Sequence, residues 1–309
     1  MAATALGQNL VIGSGSTYTG VGTYLVRGNI TNAGVAAATS IPGTVTMGST
    51  TALQTIGTGG NGAINFATLN INSSFGTKTT TAAVATAVST ALSVQALSVY
   101  DIGATTLTLG GTSTLNGTGS LNVSNGSSTV VYDQAGGSQT ALGLTYAGAL
   151  TLSGTSTKNL GAATSVAGAF SHTGGDLTVD QNLTISYATP SFATIATVAA
   201  GRTLTLSGTG AKSVTTVTTT NATGAIANTG ASGLLTIGTL SDNLGSITGG
   251  AGGLTFTSGA TNHGTITGGA GAVTFSSTLA QAGGPVTAGA GTIAFNGIVT
   301  QTGGSIASS

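Results

Sequence analysis

Residues 245–252 read Gly-Ser-Ile-Thr-Gly-Gly-Ala-Gly, and residues 264–271 repeat this pattern as Gly-Thr-Ile-Thr-Gly-Gly-Ala-Gly. Further copies begin at Gly284 and Gly304, and a weaker copy begins at Gly224. The spacing between successive copies is therefore nearly constant along the last part of the chain. Self-similarity at a short and nearly constant period is typical of proteins built from stacked repeats, in which each repeat packs on its neighbours.

A second marker runs in phase with the first, as an apolar-x-apolar triplet roughly midway between successive copies. Alternate side chains of a β-strand point to opposite faces, so the apolar residues of a triplet are expected to point inward. Stacked coils place equivalent inward residues in columns, with a rise of about 4.8 Å per coil. The predicted columns are Ile226, Ile247, Ile266, Val286 and Ile306 in the first, and Ile237, Phe256, Phe275 and Phe295 in the second.

Glycine-rich segments separate the predicted strands and are expected to turn the chain at the corners of each coil, because glycine allows positive φ and close backbone approach. The predicted corner glycines are Gly249, Gly252, Gly268, Gly271, Gly289 and Gly291. Each coil then holds at least two strands and two turns, with a third short strand expected near Leu279 and near residues 298–299.

We therefore predict an all-β fold, a parallel β-helix (β-solenoid) with about 20 residues per coil. The coils are expected to be regular from about residue 221 onward, with a length of roughly 19–21 residues each. They are expected to be irregular before that point, because the related segments that begin at Leu107, Leu150 and Leu204 are spaced more widely.

The first part of the chain does not show this period. We expect residues 1–75 to form an N-terminal β cap or a small β-domain, followed by the β-solenoid over residues 76–309. Residues 79–99 are rich in alanine, which is compatible with a helix, but the alternation of Val, Thr and Leu at even positions favours strands.

Charge is scarce: formally charged residues make up 3% of the chain, and five positive charges cancel five negative ones. They are Arg27, Lys78, Asp101, Asp133, Lys158, Asp176, Asp180, Arg202, Lys212 and Asp242. Nucleic-acid binding requires a basic surface, so we expect no nucleic-acid partner. Near-zero net charge also removes the repulsion that keeps copies of a protein apart, which favours association.

The chain has no cysteine and therefore no disulfide or thiol chemistry. It has no apolar run of about 18 residues, so we expect no transmembrane span. The N-terminal residues lack the basic region and apolar core of a signal peptide, and we expect either a removed leader or another route of export. The sequence stops within a repeat, so we expect either continuation in a longer protein or pairing with the next subunit, with Gly304 and Ile306 at the contact.

His172, Asp176 and Asp180 are the one acid–base cluster in the sequence. On one strand the two carboxylates would lie about 13 Å apart, whereas paired glycosidase carboxylates lie about 5–9.5 Å apart. We therefore expect solvated polar residues beside a turn. His172 and His263 are far apart in the sequence and have no metal-binding partner nearby. We predict no enzymatic activity and no catalytic, cofactor-binding or metal-binding residues.

Thr-x-Thr segments raise the alternative of an ice-binding β-helix, which carries a flat ladder of such pairs. Along the regular coils the outward pair that begins at Thr255 becomes Thr-x-Ser at Thr274 and Ala-x-Asn at Ala294. Because the pattern decays within three coils, we treat ice binding as a lesser alternative.

Several segments resemble the strand repeats of large bacterial surface proteins: Leu-Thr-Leu-Ser-Gly-Thr-Ser-Thr-Lys over residues 150–158, Gly-Gly-Asp-Leu-Thr-Val over 174–179, Gln-Asn-Leu-Thr-Ile over 181–185 and Gly-Asn-Ile-Thr-Asn over 28–32. These proteins include autotransporter passengers, filamentous-haemagglutinin-like adhesins and extracellular fibre proteins. The resemblance implies export, a right-handed parallel β-helix and a role in adhesion or fibre formation.

The working hypothesis is an exported structural protein of a bacterial surface or extracellular matrix. Its partner is expected to be a further copy of itself, joined head to tail through open solenoid ends into a fibre. The alternative is an adhesin fragment that binds glycans or other cell-surface components.

Overall fold

A computed structural model describes residues 4–6, 9–13, 18–32, 39–48, 53–58, 62–72 and 77–308. These residues form strands and turns without a helix, and parallel strands stack as a β-solenoid with roughly 21 residues per turn. The predicted fold class is therefore confirmed. The chain divides into two compact units, Met1–Ala135 with Ala147–Ala149, and Gly136–Tyr146 with Leu150–Ser309.

The strands that precede residue 136 are short at the corners and longer on one face. They are β1 Thr4–Leu6, β2 Leu10–Ile12, β3 Thr23–Val26, β4 Ile30–Asn32, β5 Thr39–Met47, β6 Leu53–Thr58, β7 Ile64–Ile71, β8 Lys78–Ala82, β9 Thr86–Val94, β10 Ser98–Asp101, β11 Thr106–Leu109, β12 Thr112–Leu115, β13 Ser120–Asn122 and β14 Thr129–Tyr132.

The later strands are short except for four of them, which have eight to ten residues. They are β15 Ser138–Ala141, β16 Thr145–Tyr146, β17 Ala149–Leu152, β18 Thr157–Leu160, β19 Thr164–Val166, β20 Phe170–Val179, β21 Leu183–Ile185, β22 Ser191–Val198, β23 Thr203–Leu206, β24 Lys212–Thr220, β25 Ala225–Asn228, β26 Leu235–Asn243, β27 Ser246–Thr248, β28 Leu254–Phe256, β29 Ala260–Asn262, β30 Thr265–Thr267, β31 Val273–Phe275, β32 Leu279–Gln281, β33 Pro285–Thr287, β34 Ile293–Phe295, β35 Val299–Gln301 and β36 Ser305–Ala307.

In the first unit, β5, β7 and β9 are long parallel neighbours, and six described strands form a second sheet in the order β13-β10-β8-β6-β4-β2. Strands on both sides of residue 75 pair with each other, with Leu69 of β7 opposite Leu92 of β9. Described strands from both sides of this position therefore belong to one sheet, and a separate N-terminal cap over 1–75 stays a prediction. Residues 79–99 contribute to β8, β9 and β10, which confirms the strand interpretation.

In the second unit, each regular coil holds three short strands, as in β28, β29 and β30. The third strand was expected near Leu279 and residues 298–299, where the structure has β32 and β35. One strand of each coil joins a sheet of nine described strands in the order β16-β19-β21-β23-β25-β27-β30-β33-β36. The ladders that join β25, β27, β30, β33 and β36 in this sheet are all parallel, as coil stacking requires.

The less regular coils of the second unit have longer strands. Their strands β20, β22, β24 and β26 continue through the position at which later coils have a break between two short strands. The ladder between β20 and β22 contains two register shifts. Such bulges add residues without ending a strand. Val214 lies opposite Ile237, and Ile237 lies opposite Phe256, so the earlier of these two coils is the longer one. This variation explains why the period is hidden before residue 221.

Candidate functional site

The predicted apolar columns are in register in the interior of the second unit. Ile226, Ile247, Ile266 and Val286 stack in successive strands and are fully buried, and Ile306 follows them at the half-buried end of the column. Burial of each such side chain contributes roughly 1.5–3 kcal/mol. The column is therefore a structural element that holds neighbouring coils together.

The aromatic column consists of stacked rings. Ile237 lies opposite Phe256. The Phe256 and Phe275 rings are 4.9 Å apart at 8°, and the Phe275 and Phe295 rings are 5.5 Å apart at 12°. Phe275 is buried, whereas Phe295 is 37% exposed because a ring covers it on one side only.

The predicted corner glycines lie between strands. At most of these positions glycine is required because a side chain would overlap a neighbouring residue, and not because φ is positive. Among the six, Gly289 has a positive φ of 63°. A Cβ on Gly252 would overlap the carbonyl oxygen of Ser232, and a Cβ on Gly291 would overlap that of Gly271. The close approach of backbones in adjacent coils thus explains these positions.

Gly304 and Ile306, the predicted subunit contact, lie at the last corner and strand of the second unit. Gly304 has a φ of 67°, and its carbonyl oxygen accepts a hydrogen bond from Gln301 Nε2 at 3.0 Å. Ile306 in β36 lies opposite Val286 of β33. Their role at a contact between copies stays a prediction.

A ladder of side-chain amides, which the sequence analysis missed, runs through the interior of the regular coils. Asn243, Asn262 and Gln281 occupy equivalent inward positions and are fully buried. Asn243 Nδ2 donates to Asn262 Oδ1 at 2.7 Å, and Asn262 Nδ2 donates to Gln281 Oε1 at 2.9 Å. Gln301 continues the register at the exposed end.

The amides also bind the corners that follow them. Asn262 Nδ2 donates to the Gly264 carbonyl at 2.9 Å, and Gln281 Nε2 donates to the carbonyls of Gly283 and Gly284 at 2.6 and 2.7 Å. Buried backbone carbonyls need such partners, since an unsatisfied polar group costs about 1–3 kcal/mol. The amide ladder therefore supplies hydrogen bonds to backbone carbonyls in the turn between the second and third strands of these coils.

Two of the five cationic residues, both in the second unit, have side chains buried in its interior. Lys158 is 0% exposed and Lys212 is 1% exposed. Lys158 Nζ donates to the hydroxyl and the carbonyl of Ser156, and Lys212 Nζ donates to the Gly210 carbonyl at 2.9 Å. Burial lowers the pKa of Lys212, since it disfavours the charged ammonium. Residues 150–158 and 204–212, the similar segments that end at these lysines, thus form two similar corners in which the lysine side chain points into the interior.

The cluster expected at His172, Asp176 and Asp180 is divided by the fold. His172 is buried, which contradicts the expectation of a solvated residue, because alternation along β20 points its ring into the interior. Asp176 is exposed, and Asp180 Oδ1 accepts a hydrogen bond from the Leu160 amide at 2.9 Å. The three side chains therefore do not form one reactive group.

His172 is a buried titratable group among the described residues of the second unit. Neither of its ring nitrogens has a hydrogen-bond partner there. Burial lowers the pKa of His172 to about 4, and the charge of Lys158 reinforces this shift. The backbone of Gly174 and Gly175 and the carboxylate of Asp176 oppose it. The ring is consequently neutral at physiological pH.

His263 is paired with Asp242 of the preceding coil through Nδ1 and Oδ1 at 2.8 Å. The parallel stacking of coils brings together residues that are distant in the sequence, which spacing within one strand does not reveal. Both side chains are well exposed, and exposed pairs of this kind contribute little to stability. Within the described part of the chain, no three His, Cys, Asp or Glu side chains are grouped as metal ligands.

A groove of about 470 Å³ crosses β5, β7, β9 and β11 on the outer face of the first unit. Ser40, Asn65, Ala87 and Thr108 line it from aligned positions in these strands. The residues that line the groove include no charged side chain. Its lining is mainly apolar, with the side chains of Ser40, Asn65 and Thr108 as hydrogen-bonding groups, which suits an uncharged ligand that has both apolar and polar faces.

Outward hydroxyls form a longer row than the spacing of the last coils indicates. In the second unit, aligned outward positions of successive strands are occupied by Thr151, Ser171, Ser191, Ser213, Thr236, Thr255, Thr274 and Ala294. All of these except Ala294 carry a hydroxyl, so the row of outward hydroxyls extends over more coils than the last three, in which the Thr-x-Thr pairs decay. The row mixes serine with threonine, and ice binding stays untested.

The fold and its interior columns define a β-solenoid repeat protein. Comparison of the chain with protein-family models, with curated proteins and with solved structures found no match. Among the described residues, no helix has the length and apolar character that crossing a membrane requires.

Proposed function

We propose that this β-solenoid is an exported, non-enzymatic structural protein of a bacterial cell surface or extracellular matrix, and that its copies pair end to end into a fibre. The observation that carries this proposal is the equivalence of the regular coils. Their strands present the same apolar columns to the coil on either side, as Phe275 does to Phe256 and Phe295. A coil of one copy is therefore complementary to a coil of another.

The composition of the strands supports pairing between copies. No Asp, Glu, Lys or Arg follows Asp242 in the sequence. Natural sheets block unwanted pairing at their edges with charged side chains, especially lysine, and the regular coils beyond Asp242 have none. A head-to-tail contact that does not close generates a filament.

The chemistry of the side chains supports a structural role over catalysis. His172 is buried apart from the exposed Asp176, and the His263–Asp242 pair lies on the surface. Export to a bacterial surface is supported by the resemblance of segments such as residues 150–158 to the repeats of bacterial surface proteins.

Electron microscopy of the purified chain over a range of concentrations tests self-assembly. We expect filaments whose length increases with concentration, and we expect Ile306→Lys to shorten them because it places a charge at the proposed contact. Thr257→Lys, which adds the same charge at an exposed outward position, serves as the control and is expected to leave assembly unchanged. Particles that remain monomeric at every concentration would refute the proposal.

The groove of the first unit favours a second candidate function, that of an adhesin that binds a neutral glycan. A glycan array is expected to show selective binding to uncharged glycans, with loss of the signal in Asn65→Ala. Asn70→Ala is the matched control, because Asn70 points outward from the same strand, β7, and does not line the groove. Equal binding by both variants, or no selective binding by the unchanged chain, contradicts this candidate.

A further inference from the structure

Lys158 and His172 are both buried, in two neighbouring coils of the second unit. Lys158 belongs to β18 and lies opposite Leu177 of β20, the strand that also contains His172. Gly175 lies so close beneath the corner before β18 that a Cβ there would overlap the Ser156 carbonyl. The side chain that anchors Lys158 and the turn that follows His172 are therefore packed against each other.

The groups around His172 leave its ring without a counter-charge in the interior. Of the strands paired with β20, β17 and β22 contain no titratable residue, and β18 contains Lys158. Asp176 on the same strand is exposed, and Asp180 is bound to the Leu160 amide. Both ring nitrogens lack a hydrogen-bond partner among the described residues. A proton added to this ring is opposed by burial and by the charge of Lys158, and the backbone of Gly174 and Gly175 and the charge of Asp176 offset this only in part.

We propose that His172 is an acid-sensitive element of the fold, whose protonation opens the pairing of β20 with β17 and β18, the strands opposite it in the preceding coil, while the regular coils stay closed. The neutral ring is buried on β20, opposite Leu152 of β17. The protonated ring requires water, which becomes available only when β20 parts from these strands.

The direction of the pH dependence follows from proton binding in the two states. Burial lowers the pKa of His172 from 6.5 to about 4 in the closed state, whereas an open state has the ordinary value. The open state therefore binds more protons between these values, so the closed state is fully stable above pH 6.5 and loses stability as the pH falls toward 4. Between pH 7.5 and 5.0 the open population is expected to rise about 30-fold.

Hydrogen–deuterium exchange of the full chain at pH 7.5 and 5.0, corrected for the intrinsic exchange rate, tests this proposal. We expect peptides that cover β18 and β20 to lose about 30-fold in protection at the lower pH, and peptides from β28–β36 to change little. His172→Leu is expected to abolish the response. His263→Leu, which alters an exposed histidine, is expected to retain it.

An NMR titration of the histidine rings tests the same proposal without a substitution at the site. We expect His172 to remain neutral down to about pH 4, and Lys158→Met to raise its pKa because the neighbouring charge is removed. A His172 ring that titrates near 6.5, or an acid response that persists in His172→Leu, overturns the proposal.

Discussion

Phe275 lies between two other rings in the interior, with centroid distances of 4.9 Å to Phe256 and 5.5 Å to Phe295. Its contacts extend to the coils on both sides, so one side chain contributes to two interfaces. A repeat protein is stabilised mainly by such contacts between neighbours. The loss of this ring therefore weakens the stack at two places.

We expect Phe275→Ala to lower the free energy of unfolding by about 3–5 kcal/mol, because it removes buried surface and leaves a cavity. Phe295→Ala is the matched control, since its ring is already 37% exposed and is covered on one side. Urea unfolding followed by circular dichroism measures both variants. An equal loss in the two variants, or no loss in Phe275→Ala, contradicts the column assignment.

Buried polar side chains show how far residue positions can be predicted from the sequence alone. Asn262 follows Ala260 at the alternate position of β29, so alternation alone places it inward. Burying an amide without a partner is costly, and the Gln281 partner of Asn262 becomes visible only when the coils are stacked. The same applies to Lys212, which finds a carbonyl within its own corner.

At the scale of the coil, the length between equivalent positions decides whether neighbouring coils fit. Leu254 lies opposite Val273, and Ala260 lies opposite Leu279, so two strands of one coil are displaced along the sequence by the same step. The step from Ile266 to its partner Val286 is slightly longer, so the extra residue lies in the turns between the strands. A coil is therefore a unit of sequence that can be removed as a whole.

We expect deletion of residues 254–272 to give a folded chain with one coil fewer, in which Val273 takes the place of Leu254 opposite Leu235. The chain loses the stability of one coil interface but keeps a cooperative transition. Deletion of residues 254–263, about half a coil, is the control and is expected to disrupt the regular coils, because strands then meet corners. Thermal melting followed by circular dichroism distinguishes the two, and equal disruption would contradict the assigned register.

At the scale of the whole molecule, the sequence predicted the all-β solenoid from the last coils alone. Those coils are built from short strands, so their apolar triplets recur at nearly constant spacing. Longer strands with bulges, such as β20, vary the spacing and conceal the same architecture upstream. The outward hydroxyl row and the buried His172 were missed for the same reason, since both depend on which residues of separate coils lie opposite each other.

The amide ladder has a consequence for how a gene of this kind changes in length. Duplication of a whole coil also duplicates its amide, as at Asn262 or Gln281, so the new coil brings the group that aligns it with its neighbours. A duplication of only part of a coil places an amide opposite an apolar column. The amide then lacks a hydrogen-bond partner, so the insertion destabilises the fold and is selected against. The ladder thus permits the number of coils to vary between generations while the frame in which they are joined stays fixed.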